Sequence, residues 1–121
     1  MIFFDAYAII EVLKGNPRYE RFKDITFITN TLHLAEVFFM LLRETSLDNA
    51  NNLIKNSDFE FIEISGDIAI DAAIFKHNHK DKSLSYADCI GYISAVKNKI
   101  KFLTGDEDFR DIENVEYVKK E

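Results

Sequence analysis

What most constrains the fold of this chain is that its apolar residues come in two alternating formats. Short runs rich in aromatic and β-branched residues, Ile2 to Phe4, Ile25 to Ile28, Phe59 to Ile64 and Ile100 to Leu103, are separated by longer stretches with helical spacing. Runs of that length and composition are strand-like, and a strand apolar at nearly every position has to be covered on both faces. Strands alternating with helices predict an α/β architecture of three layers, α/β/α, around a central parallel sheet. Four to five strands are expected, the fifth being Val115 to Val118 at an edge.

The helices are delimited by their own chemistry. A first helix follows Asp5 and stops at Lys14-Gly15-Asn16-Pro17, a glycine and then a proline. Arg18 to Asp24 is charged and suits a short helix. Thr29-Asn30-Thr31 offers caps for a helix running to Glu44, with Leu32, Ala35, Phe39 and Leu42 as its expected core face. Ser46 caps a polar helix over Leu47 to Lys55, and Ser65 caps one whose buried stripe is expected at Ile68, Ala69, Ala72, Ala73 and Phe75. Lys76 to Lys82 is expected as a polar loop. The last helix, Ser85 to Lys99, is apolar on most sides, as a centrally wedged helix would be.

At 121 residues the chain is expected to form one domain, residues 1–121, burying roughly two-thirds of the surface its unfolded form exposes. Fifteen basic against twenty-one acidic residues leave a net charge of −6. That argues against a broad basic footprint for nucleic acid, so such a substrate would be met locally, through metal ions or a basic patch. Cys89 is the only cysteine, which excludes an intrachain disulfide and makes the cytoplasm the expected compartment. The opening Met-Ile-Phe-Phe-Asp lacks a basic lead and a long apolar stretch, so no signal peptide is expected. The longest apolar run, Val37 to Leu42, is far short of the roughly 20 residues a membrane helix needs, and no membrane association is expected.

Against this background some acids break the local pattern. Asp5 terminates a hydrophobic strand, Glu36 has apolar neighbours at Leu32, Phe39 and Met40, and Asp88 lies in the first turn of the most apolar helix. Asp106 follows the strand-like Phe102-Leu103-Thr104 in a turn that also carries Asp108. Each has a plainer reading. Ser85-x-x-Asp88 has the capping-box spacing, Asp106 suits a turn or a cap, and Glu36 suits pairing with a lysine or arginine. Taken together, the four acids leave two strands and two helix positions with no histidine or cysteine spaced as a companion ligand. Clustered carboxylates repel unless a cation compensates, and oxygen-only ligands select hard ions such as Mg²⁺ or Mn²⁺ over zinc. Periodicity alone does not make the four converge.

The order and context of these residues resemble those of the PIN-domain ribonucleases, in particular the VapC-type toxins of toxin–antitoxin pairs. Ile2-Phe3-Phe4-Asp5 resembles the family's first acidic position, and Leu34-Ala35-Glu36-Val37 the helix bearing its glutamate. Ser85-Tyr86-Ala87-Asp88 resembles the segment with the third acid, and Phe102-Leu103-Thr104-Gly105-Asp106-Glu107-Asp108-Phe109 the strand-turn signature with the fourth. The resemblance implies a PIN-like fold and a metal-dependent endoribonuclease. Asp5, Glu36, Asp88 and Asp106 would hold Mg²⁺ or Mn²⁺, with Asp108 and Thr104 in support. It also implies an RNA substrate, a cognate antitoxin and a homodimer. Where the family commonly has a hydroxyl or amide after the first acid, this chain has Ala6 and Tyr7, so support of Asp5 falls to Tyr7 or is reduced.

Two other readings of the whole chain stand beside the nuclease. One is a catalytically silent PIN-like interaction module. The other, a phosphoacceptor receiver domain, is disfavoured because Ile62-Glu63-Ile64-Ser65 ends the third strand without an aspartate. His33 is expected as a helix-surface or capping residue, His77 and His79 as solvated, and Cys89 as a small buried residue. Phe38-Phe39-Met40 is either core or a dimer or antitoxin surface, and Arg43 and Arg110 are the basic residues expected nearest the site.

Overall fold

Side chains alternate across a strand, and here that alternation builds two cores back to back. In the computed structural model, which describes residues 1–121, the strands are β1 (Ile2–Phe4), β2 (Phe27–Thr29), β3 (Phe59–Phe61), β4 (Lys101–Thr104) and β5 (Val115–Tyr117). They form one sheet in the order β3-β2-β1-β4-β5, and every neighbouring pair is parallel. Phe4 and Leu103 point to one face, joining Ile9, Ile10, Tyr19, Phe27, Val37 and Leu41. Phe3 and Phe102 point to the other, joining Leu84, Cys89, Tyr92, Ala95 and Phe109. The expected three-layer arrangement with a five-stranded parallel sheet is therefore the observed one.

Five α-helices cover the sheet: α1 (Ala6–Leu13), α2 (Thr31–Glu44), α3 (Leu47–Lys55), α4 (Gly66–Asn78) and α5 (Tyr86–Lys97). Pro17–Phe22 is a six-residue 3-10 segment, the short helix expected there. The caps are those foreseen: Asn30 accepts from the His33 amide, Ser46 from Asn49, Ser65 from Ile68 and Ser85 from Asp88. No helix is long and apolar enough to cross a membrane.

Three expectations change. The third strand ends at Phe61 rather than Ile64, because β2 gives way to the Asn30 cap and the Ile62 amide bonds Thr29 as the last rung available. Helix α4 continues through Lys76 and His77 to Asn78, and His79 packs its ring on Phe75 at a centroid distance of 4.1 Å, so the loop starts later. Of its expected stripe, Ile68 and Ala72 are buried and Phe75 half-buried, while Ala69 and Ala73 face solvent.

The largest change is the rotation of α2. Its buried face is His33, Val37, Met40 and Leu41, and the expected core face Leu32, Ala35, Phe39 and Leu42 is turned outward, with Phe39 62% exposed. Both sets are coherent helical stripes on opposite sides of one helix. The buried one contains a histidine, which local periodicity discounts and tertiary hydrogen bonding rewards.

Candidate active site

The sheet order reverses at β1. The chain passes from β1 to β2 and β3 on one side, then returns to the other side with β4 and β5. The crevice beyond the carboxyl ends of β1 and β4 is thus a topological switch point, where open parallel sheets bind ligands. Asp5 is the first residue after β1, and its amide extends the ladder to the Leu103 carbonyl at 3.1 Å. Asp106 follows β4 by two residues. Gly105 permits that tight exit, since a Cβ there would lie 2.8 Å from the Tyr19 hydroxyl and 3.0 Å from the Val118 carbonyl.

A cleft of about 630 Å³ opens at this point. Asp5, Glu36, Asp88, Asp106 and Asp108 all line it, with Glu107 beside them and Lys120 as its only lysine or arginine. The end of β1, helices α2 and α5 and the turn after β4 therefore bring together all four of the expected acids and Asp108. Thr104 lies beneath the cleft, fully buried.

Asp5 is 3% exposed and caps α1. One of its oxygens accepts from the Ala8 amide and the other from the Thr104 hydroxyl, both at 2.6 Å. Thr104 also accepts from the Asp106 amide at 3.1 Å, so one hydroxyl joins the two strand-end acids. Burial pushes the Asp5 carboxyl up from 3.8 to about 7, and the charge of Asp88 adds to the shift, against the opposing hydrogen bonds of Thr104 and Ala8. Glu36 and Asp106 are raised as well, first by burial and then by Asp88. Three carboxyls on different parts of the fold feel the charge of Asp88 beside the larger effect of burial.

Asp88 also forms the capping box of α5, its carboxylate accepting from the Ser85 amide at 3.1 Å. The plainer reading and the functional one therefore coexist in one side chain, because a carboxylate oxygen has further lone pairs. Asp106 likewise caps the 3-10 turn Glu107–Phe109, accepting from the Asp108 amide at 2.9 Å. An all-carboxylate set in a negative cleft has the chemistry of a hard-cation site. No three of the acidic or histidine side chains stand close enough together in this conformation to hold an ion.

Several residues differ from expectation. Tyr7 makes no hydrogen bond to Asp5; its exposed ring lies under the Lys120 ammonium at 4.2 Å, and Thr104 and the Ala8 amide hold Asp5 instead. Arg43 and Arg110 do not line the cleft but lie over Phe39 and Tyr117, at 5.6 and 6.0 Å from the ring centroids. Lys120 takes the place expected of them, its backbone carbonyl fixed by the Asn16 side-chain amide at 3.0 Å and the stretch before it by Tyr19, which donates to the Val118 carbonyl at 2.7 Å. Nothing local signals it. His33 is not a surface residue, being 1% exposed; its ring caps the first amide of α1, and burial pulls its imidazole down to about 4. The stripe it shares with Val37, Met40 and Leu41 is the signal that would have found it. His77 and His79 stay away from the cleft, and Cys89 is buried with its thiol pushed up to about 11, chiefly by burial.

A parallel α/β/α domain with a carboxylate-lined cleft at its switch point defines the class. The chain belongs to the PIN domain family, whose model matches residues 2–115. Among solved structures, a toxin–antitoxin complex from Klebsiella pneumoniae is 19% identical with a TM-score of 0.77, covering 96% of each chain. The VapC20 toxin of Mycobacterium tuberculosis, described as cleaving the sarcin–ricin loop, is 19% identical with a TM-score of 0.75 over 98% of this chain and 99% of that one. VapBC2 from Rickettsia felis, bound to a promoter DNA fragment, is 17% identical with a TM-score of 0.73 over the full length of both chains. At these identities the likeness is one of fold, and it is the fold of VapC-type toxins. No curated protein matches the sequence significantly.

Proposed function

We propose that this protein is a metal-dependent endoribonuclease acting in the cytoplasm as the toxin of a toxin–antitoxin pair. The observation that carries the reading is the meeting of Asp5, Glu36, Asp88 and Asp106 in one cleft of a PIN domain, three of them with carboxyls raised in part by the fourth. These four would hold Mg²⁺ or Mn²⁺, which when bound supplies the Lewis-acid charge that activates water and neutralises a phosphodiester in in-line displacement. Thr104 keeps Asp5 oriented and ties it to the Asp106 backbone. Asp108 steadies Asp106 through its amide and adds a carboxylate to the cleft. Lys120, anchored at the rim, offers an ammonium to an RNA phosphate where the protein is otherwise acidic.

A protein partner is supported by the outward stripe of α2, where Leu32, Ala35, Phe39 and Leu42 form an apolar face with no core to serve. We assign it to a cognate antitoxin or to a second copy in a homodimer. The occurrence of the same fold in a toxin–antitoxin complex and in VapBC2 favours the antitoxin. The test of the enzyme is incubation of the purified protein with structured RNA and Mn²⁺ beside Asp5→Asn and Asp88→Asn. Cleavage by the unmodified chain and its loss in both variants is expected; equal cleavage by all three overturns the assignment. Mn²⁺ binding without turnover would instead identify a catalytically silent interaction module.

A further inference from the structure

We infer that His33 is the positioning residue of this cleft, a single imidazole that sets the separation of the elements carrying Asp5, Glu36 and Asp88. The inference rests on the metal-site reading above. Its own evidence is the bonding of the ring. Nδ1 lies 3.1 Å from the Ala6 amide nitrogen, and an amide can only donate, so Nδ1 is the acceptor and the ring proton sits on Nε2. Nε2 is 3.0 Å from the Ala87 carbonyl and donates to it. One neutral tautomer thus satisfies both bonds at once. The Ala6 amide is the first of α1 and has no acceptor within its own helix, so His33 supplies the one it lacks.

The chain positions of these partners give the bonds their meaning. Ala6 adjoins Asp5, Ala87 adjoins Asp88, and Glu36 lies one turn along α2 from His33, on the same helix. Three acids that share no strand are referenced to one ring. The ring is itself held: Phe3 meets it edge-on at a centroid distance of 5.6 Å, and a Cβ on Gly91 would lie 2.6 Å from Nε2, so α5 leaves room for the ring at that position. A histidine merely filling the core would also be buried and bonded. What sets the two roles apart is whether loss of the ring changes ion binding beyond its effect on folding.

The experiment measures free Mn²⁺ by its electron paramagnetic resonance signal and follows the melting temperature of the metal-free protein. His33→Asn keeps an acceptor near the Nδ1 position, His33→Gln keeps a donor near Nε2, and His33→Leu keeps neither. Expected is at least tenfold weaker Mn²⁺ binding in His33→Leu, in the range seen when partners of metal ligands are removed, with partial rescue in the two amide variants. If His33→Leu does not fold, the same comparison is made on the amide variants alone, where weaker binding than in the unmodified protein is expected. Affinities within twofold of the unmodified protein in every folded variant, whatever their melting temperatures, overturn the inference. Unmodified protein that binds no Mn²⁺ overturns the metal-site reading and this inference with it.

Discussion

Burial raises the Asp5 carboxyl from 3.8 to about 7, so the metal-free native protein holds a proton there across a window in which the unfolded chain has lost it. With more protons bound in the native state, stability falls as pH rises from about 4 to about 7 and stays lower above that. His33 acts in the opposite sense. Its native value of about 4 lies below the ordinary 6.5, so the unfolded chain binds the extra proton and stability rises with pH over that interval. The two contributions oppose one another below about pH 6.5. Comparing Asp5→Asn with the unmodified protein isolates the first. The variant is expected to melt at a higher temperature in the absence of metal, with a gap that widens from pH 4 to pH 7 and then levels. A shift of this size corresponds to a few kcal/mol at most, to order of magnitude. Scanning calorimetry across that pH range checks it, and a gap independent of pH would contradict the burial of an ionisable Asp5.

At the scale of the element, α2 carries the clearest distinction between what is apolar and what is core. Leu41 is 6% exposed and packs with Val37 and Met40 on α1 and the sheet, whereas Phe39 stands in solvent. Truncating Leu41 to Ala is therefore expected to cost about 2–5 kcal/mol in a denaturant titration, by lost transfer energy and the cavity left behind. Phe39→Ala, although it removes a larger side chain, is expected to stay within about 0.5 kcal/mol of the unmodified protein. A larger loss at Phe39 than at Leu41 would mean that the helix is rotated as its periodicity alone suggests. Helix α5 shows a second kind of economy: the acid of its capping box and the acid it contributes to the cleft are the same Asp88.

For the whole molecule, a net charge of −6 and a cleft with six carboxylates and one lysine make cation binding a stabilising event. Any ligand bound only by the native state stabilises by mass action, about 2.7 kcal/mol at a hundredfold excess over its dissociation constant. Addition of Mn²⁺ is expected to raise the melting temperature of the unmodified protein, a chelator to reverse the rise, and Asp5→Asn to show little of it. A metal-induced rise of equal size in Asp5→Asn would place the bound ions elsewhere on the acidic surface.

The sequence by itself determined the element order, the parallel three-layer sheet, the caps at Asn30, Ser46, Ser65 and Ser85, and which acids break their local patterns, because each of these is written in spacings of a few residues. Asp5 was legible because an apolar strand that stops at an acid is a local signal, whereas Asp106, which by itself suits a turn or a cap, gained weight only beside the other three acids. The tertiary structure decided the rotation of α2, since two opposite stripes of that helix were apolar enough and the one that is buried joins the core through Val37, Met40 and Leu41 and bonds Ala6 and Ala87 through His33. It also decided that Lys120, not Arg43 or Arg110, reaches the cleft, and that Thr104, not Tyr7, holds Asp5. The bonds that set them join residues 99 or more positions apart, between the ends of β1 and β4 and between the 3-10 segment and the stretch after β5, and no local periodicity encodes such pairings.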